Sequence, residues 1–179
     1  MIRIRPAGAA DGPAIARIRA ETWQVAYAGV LPAQLLADMA DPESVEREGE
    51  WRRAHSMDGV LIAEASPDLV GFAAYGPERA EDDEPGQPGG DREDHGPAEL
   101  YAIYVVPRQW SSGAGRALLD GVLALAAGDG YTDISLWVLE ANTRARHFCE
   151  QAGFAPTGEA AVLARLDGVM QVRYRRVLG

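Results

Sequence analysis

The sequence predicts a mixed α/β fold, and three observations carry that prediction. Short runs rich in β-branched and aromatic residues, such as "IRIRP" and "ELYAIYVV", read as strands; apolar residues at helical spacing in "RALLDGVLALAA" read as an amphipathic helix; and the two patterns interleave in the order βαα(α)βββαβαββ. At 179 residues the chain has the size of one domain with one core, so residues 1–179 are expected to form a single domain.

Each element has its own justification. "IRIRP" alternates apolar and charged residues and ends at Pro6. Asp11 is expected to cap the first helix, with Pro13 in the first turn, where a missing N–H costs little. Along that helix Ile15, Ile18, Thr22 and Val25 keep helical spacing and should face the core, while Arg19, Trp23 and Tyr27, four residues apart, form a second face. Short helices follow at Pro32–Met39 and Pro42–His55, the latter carrying Val45 and Trp51. "GVLIAEA" and "LVGFAAYG", separated by "SPD", read as an antiparallel hairpin. "ELYAIYVV" is a strand ended by Pro107, and Leu118, Leu119, Val122, Leu123 and Ala126 line one stripe of the next helix. "YTDISLWVLE" is a strand, "NTRARHFCEQAG" a capped helix closed by Gly153, and two strands near Phe154–Leu163 and Val169–Val177 finish the chain.

Composition excludes several chemistries. All 17 basic residues are arginine, so a Schiff-base lysine and a Walker-type phosphate lysine are ruled out. Cys149 is the only cysteine, which leaves no intramolecular disulfide and no cysteine metal cluster; His55, His95 and His147 lack ligand spacing, so no metal is expected. There is no run of about 20 apolar residues and no signal-like start, and the expectation is a soluble, cytoplasmic protein without a membrane partner. A net charge of -10 argues against nucleic acid and favours a cationic partner. Eight acids between Glu78 and His95, against Arg79 and Arg92, mark residues 78–97 as a mobile, solvated acidic loop.

The chemistry-bearing stretch is "YVVPRQWSSGAGRALL". A strand, a glycine-rich turn and a helix N-terminus together make an anion site, because the first helical N–H groups lack partners and the helix dipole is positive there. A third glycine, needed for a dinucleotide fingerprint, is missing: Leu118 stands there. Alone, Gly113-Ala114-Gly115 is equally consistent with a plain tight turn.

"VVPRQWSSGAGRALL", followed by "LWVLEANTRARHFCEQAGF", resembles the core of the GNAT superfamily of acyl-CoA-dependent N-acyltransferases. That core is a strand, a proline, Gln/Arg-x-x-Gly-x-Gly/Ala opening a helix, then a strand leading to Asn-x-x-Ala-x-x-Phe/Leu-Tyr-x-x-x-Gly-Phe. The resemblance is close from Glu99 to Phe154 and extends over the whole chain in element order; "ETWQVAYAGVLP" resembles the acceptor-site segment of one branch. It implies a GNAT fold, a mixed central sheet flanked by helices, with a glycine-rich pyrophosphate loop between strand 4 and the following helix. It also implies acetyl-CoA as co-substrate, with no metal.

Carried over by position, the resemblance puts the pyrophosphate cradle on Ser111, Ser112, Gly113, Ala114, Gly115 and Arg116. Ile103, Tyr104 and Val105 would pair with the pantetheine arm, the Val105 N–H would polarise the thioester carbonyl, and Asn142 would meet the coenzyme, be a plain N-cap, or both. Trp110 replaces the motif's Gln/Arg, losing a side-chain phosphate contact. Cys149 stands at the tyrosine that protonates the departing thiolate in many members; it is either the acid or packing on the stripe of Ala145, Phe148 and Ala152, with Tyr104 and water as other acids. Glu99 is the first candidate for the base, or else a solvated strand-end charge; Glu140 is second, and Trp137 closes the alternative route on the next strand. Trp23 and Tyr27 either wall the acceptor site, attracting an ammonium by cation–π contact, or are core aromatics.

The reading is an N-acetyltransferase that moves the acetyl group of acetyl-CoA to a primary amine, of a small molecule or of a peptide or protein N-terminus, by direct attack. The alternative is a non-catalytic acyl-CoA-binding or sensing module, motivated by Cys149 and Trp110 at their motif positions. The resemblance adds a homodimer as an expected assembly.

Overall fold

The computed structural model describes residues 1–79 and 96–179. The elements run β1 (Arg3–Pro6), α1 (Gly12–Ala26), α2 (Ala33–Ala40), α3 (Pro42–Ala54), β2 (Val60–Ala65), β3 (Asp68–Pro77), β4 (Ala98–Val105), α4 (Ala114–Gly128), β5 (Asp133–Leu139), α5 (Thr143–Gln151), β6 (Ala155–Leu163) and β7 (Val169–Val177). The strands form one mixed seven-stranded sheet in the order β1-β2-β3-β4-β5-β7-β6. β1/β2, β2/β3, β5/β7 and β6/β7 are antiparallel, joined by hairpin or longer returns; β4 and β5 are parallel, with Ala98 opposite Ile134 and Glu99 opposite Ser135. A parallel pair needs a crossover, and α4 supplies it. No helix among the described residues is long and apolar enough to cross a membrane.

The described residues cluster into two compact units, Met1–Ala74 with Ala102–Gly121, and Tyr75–Tyr101 with Val122–Gly179. In the first, Leu61, Ile62 and Ala63 are buried in succession on β2, as expected of a strand covered on both faces. α1 buries Ile15, Ala16, Ile18, Thr22 and Trp23. Val25, expected on the core face, is 51% exposed. The buried arc is centred on the Ile15–Arg19–Trp23 line rather than on Ile18–Val25, because the aromatic pair bury more area than a valine and turn the helix toward themselves. α1 crosses α3 through glycines: a Cβ on Gly12 would stand 2.7 Å from the Gly49 carbonyl oxygen, and one on Gly49 2.9 Å from Pro13 Cα.

Asp11 departs from its expected role. A 3₁₀ turn, Ala9–Asp11, precedes α1 and already holds Asp11 in helical conformation. Its carboxylate therefore turns back, accepting from the Gly8 N–H at 2.8 Å and from both terminal nitrogens of Arg5 at 2.7 and 2.8 Å.

In the second unit Tyr174 of β7 is fully buried; its hydroxyl donates to Glu150 Oε1 at 2.8 Å and accepts from Arg146 Nε at 3.1 Å, fastening α5 to β7. Gly153, at φ +84°, ends α5 in the left-handed conformation that glycine adopts without strain. The acidic loop expected from Glu78 lies, for residues 80–95, outside the described residues. Glu78 and Arg79 are described and correct that expectation. Glu78 accepts from Ser135 Oγ at 2.7 Å and pairs with Arg173 at 2.5 Å and Arg175 at 3.0 Å, and Arg79 pairs with Glu99. Their partners lie on β4, β5 and β7, out of reach of any local reading.

Candidate active site

Within the first unit, β4 delivers Ile103, Tyr104 and Val105 to the start of a short 3₁₀ turn, Pro107–Gln109, and the glycine loop follows. Two residues of the loop are left-handed, Ser111 at φ +64° and Gly113 at φ +90°. A serine there is uncommon; alternating handedness is the pattern of anion-binding nests, while the Ser112 N–H of this loop is given to Gln109 O at 3.3 Å. Ser111, Ser112 and Gly113 are exposed, and a Cβ on Gly113 would meet nothing within 4 Å. α4 begins at Ala114, whose N–H is met by Ser112 Oγ at 3.3 Å; the first intrahelical bond is from Ala117 N–H to Gly113 O, at 2.9 Å. Gly115 and Arg116 thus bring first-turn N–H groups without a carbonyl four residues back in the helix. The exposed Arg116 adds a guanidinium that reaches Asp120 at 2.9 Å.

α1 presents its aromatic face to the same unit. Trp23 and Tyr27 meet edge to face at 4.9 Å, and Tyr104 stands 6.4 Å from Trp23 and 5.5 Å from Phe72. The Arg19 guanidinium lies 5.0 Å from the Trp23 ring centre and is paired with Glu48 at 2.7 Å. One cation on that ring is thus the protein's own. Trp23 and Tyr27 are 8% and 9% exposed, and the buried Trp23 Nε1 has no hydrogen-bond partner among the described residues.

In the second unit Glu99 is 3% exposed, which removes its reading as a solvated strand-end charge. Its Oε2 accepts from the Arg79 backbone N–H at 3.1 Å and side-chain Nε at 3.3 Å, and its Oε1 accepts from Arg79 Nη2. At least three of a carboxylate's roughly four acceptor positions are therefore used. The Arg79 guanidinium also covers the Tyr101 ring at 4.6 Å. Alongside lies a charge cluster that sequence reasoning missed: Arg173 and Arg175 of β7 with Glu78, Asp133 and Glu159. Trp137 lies under the Arg173 guanidinium at 5.4 Å. The signal was present in "VRYRRV", whose arginines 173 and 175 share one strand face.

Asn142 is the N-cap of α5, its Oδ1 accepting from the Ala145 N–H at 3.1 Å. Cys149 is a free thiol, 4% exposed. Burial, helped by the neighbouring Glu150 charge, pushes it up to about 12. No group of three or more His, Cys, Asp or Glu among the described residues could hold a metal ion.

A seven-stranded mixed sheet flanked by helices, with an amide-rich loop between β4 and α4, defines the class. Residues 17–154 match the model of the Acetyltransferase (GNAT) family, and the chain belongs to that family of acetyltransferases. YuaI of Bacillus subtilis (strain 168), an uncharacterized N-acetyltransferase, is 32% identical over 143 residues, covering 79% of this chain and 74% of its own. Two solved structures share the fold at identities too low to carry more. The paia N-acetyltransferase of Thermoplasma acidophilum, in complex with coenzyme A, has a TM-score of 0.69 and 18% identity, covering 98% of this chain and 99% of its own. yncA of Salmonella typhimurium, with its cofactor acetyl-CoA, has a TM-score of 0.70 and 19% identity, covering 100% of this chain and 95% of its own.

Proposed function

We propose that this acetyltransferase moves the acetyl group of acetyl-CoA to a primary amine, on a small molecule or at a peptide or protein N-terminus, by direct attack. The observation that carries this reading is the exposed loop of residues 111–116, with two left-handed residues at the mouth of a fifteen-residue helix. A helix mouth of this kind supports a pyrophosphate cradle made of backbone, which needs no side chain at Gly113. In this reading Ser111, Ser112, Gly113, Ala114, Gly115 and Arg116 hold the phosphates, Ile103, Tyr104 and Val105 pair with the pantetheine arm, and Asn142 serves the coenzyme while capping α5. That relatives of this fold carry coenzyme A and acetyl-CoA supports the choice of donor.

The amine nitrogen attacks the thioester carbon, and charge builds on its oxygen, where the Val105 N–H donates. The C–S bond then breaks, coenzyme A leaves as thiolate, and no covalent acyl-enzyme forms. The amine must shed a proton, and Glu99 is the proposed acceptor; because Arg79 occupies most of its lone pairs, it works only by sharing that partner. The leaving thiolate takes its proton from solvent rather than from Cys149. Trp23 and Tyr27 wall the acceptor, and the protein works in the cytoplasm, a reading that its single unpaired thiol supports.

The test is coenzyme A release across a panel of amino acids, peptides, polyamines and aminoglycosides. Release with at least one amine is expected; none across the panel, with acetyl-CoA bound, overturns the transfer step. Gly113→Val forces a β-branched residue into φ +90°, where L residues are strained by roughly 1–2 kcal/mol. Calorimetry should find coenzyme A affinity at least tenfold weaker with the fold intact, and unchanged affinity would remove the loop from the site.

A further inference from the structure

We infer that Trp110 is a positioning residue: its indole braces the thioester-facing end of β4 to the phosphate loop, an inference that rests on the donor site proposed above. The Val105 carbonyl oxygen receives two side-chain donors, Trp110 Nε1 at 2.7 Å and Thr22 Oγ1 at 3.3 Å. The other end of the same peptide is also fixed, because the Val106 N–H donates to Val70 O at 2.9 Å. One peptide unit at the strand end is thus held from three directions, by β3, by α1 and by the first residue of the glycine loop.

The third attachment is the one with a consequence for binding. Trp110 is joined through its backbone to Ser111, the first left-handed residue of the loop, and its own N–H is turned back onto Pro107 O at 3.1 Å. Its indole spans from the loop to the strand end. An indole has a single N–H and no acceptor, so once that N–H is given to Val105 nothing is left for a phosphate. The residue at the Gln/Arg position of the motif therefore does not contact the coenzyme's phosphates. It fixes the distance between the two places the coenzyme must reach at once, the amides of residues 111–116 and the end of β4 against which the pantetheine arm pairs. Val105 and Val106 are 8% and 1% exposed, so this anchor has little freedom of its own.

A brace of this kind has a distinctive signature, because it matters only to a ligand long enough to touch both ends. Trp110→Phe keeps a ring and removes the N–H. Binding of coenzyme A, whose phosphates lie on the loop while its pantetheine arm pairs with the end of β4, and of ADP, which reaches only the phosphate loop, is measured by calorimetry alongside the melting temperature. Coenzyme A should bind about tenfold more weakly to the variant while ADP affinity changes less than about twofold, the size expected for one good hydrogen bond. Equal weakening of both ligands, or of neither, overturns the brace. Should Trp110→Phe fail to fold, Trp110→Leu decides the question, since it also removes the N–H given to Val105 but places a smaller apolar side chain there. It should shift the coenzyme A to ADP affinity ratio about tenfold, and an unchanged ratio overturns the inference. Failure of the wild-type protein to bind coenzyme A overturns the donor site itself, a result separate from either variant's.

Discussion

Cys149 illustrates how one side chain's surroundings decide its chemistry. An acid for the departing thiolate must be at least about as strong as the thiol it creates, whose ordinary value is about 8.5. Burial takes Cys149 to about 12, so donation from it runs uphill. Cys149→Ala should therefore leave turnover per folded molecule unchanged while costing about 1 kcal/mol through a small cavity, read from kinetics and chemical denaturation. A variant that folds as stably as wild type but turns over tenfold slower would restore Cys149 to the mechanism. The same shift fixes a sign for pH. The folded thiol stays protonated above the ordinary 9.0, so its contribution to stability is whole below that value and is lost as pH rises toward about 12. Alanine should flatten that alkaline loss.

At the scale of elements, the crossing of α1 and α3 depends on two missing side chains. Alanine is the better helix former by roughly 1 kcal/mol, yet Gly49→Ala would press a methyl to 2.9 Å from Pro13 Cα, and overpacking of that kind costs about 1–3 kcal/mol. The melting temperature should fall for Gly49→Ala and hold or rise slightly for Gly128→Ala, where an added Cβ meets nothing within 4 Å. A fall of equal size in both would refute the packing argument. The order of elements was legible because each strand and helix carries its own period and its own punctuation, Pro6, Pro107, Asn142 and Gly153 among them. What a window could not reveal was rotation and pairing. Val25 shares the period of Ile18 and Thr22 but lies past the edge of the buried arc, and Glu78 reads as part of an acidic run until β7 places two arginines against it. The site divides the same way. The loop's glycines mark themselves, whereas the Trp110 to Val105 contact needs the turn at Pro107–Gln109 to exist first.

For the whole molecule, the charges that matter to folding are the paired ones. The hydrogen bonds from Arg5 hold the Asp11 carboxyl below its ordinary 3.8; burial would raise Glu48, but Arg19 and Arg52 together draw it below 4.5. Both groups are more acidic folded than unfolded, so their stabilisation is complete above those ordinary values and is lost as pH falls through the lower folded ones. The urea midpoint should therefore decline on the acid side, and Asp11→Asn should remove part of the slope along with part of the stability. A midpoint that is flat in acid would mean these pairs contribute nothing net.

Arg5, Arg19, Arg79, Arg173 and Arg175 share a trait beyond their charge. In every ion pair described the cation is a guanidinium, and the sequence contains no lysine at all. A guanidinium stays protonated at any pH the protein meets and offers no nucleophilic lone pair, whereas a lysine amine is open to acylation. An enzyme that works beside an activated thioester thus has scaffold cations that its own reagent leaves untouched. Long incubation with acetyl-CoA should neutralise none of the contacts that hold Asp11, Glu48, Glu78 or Glu99 in place.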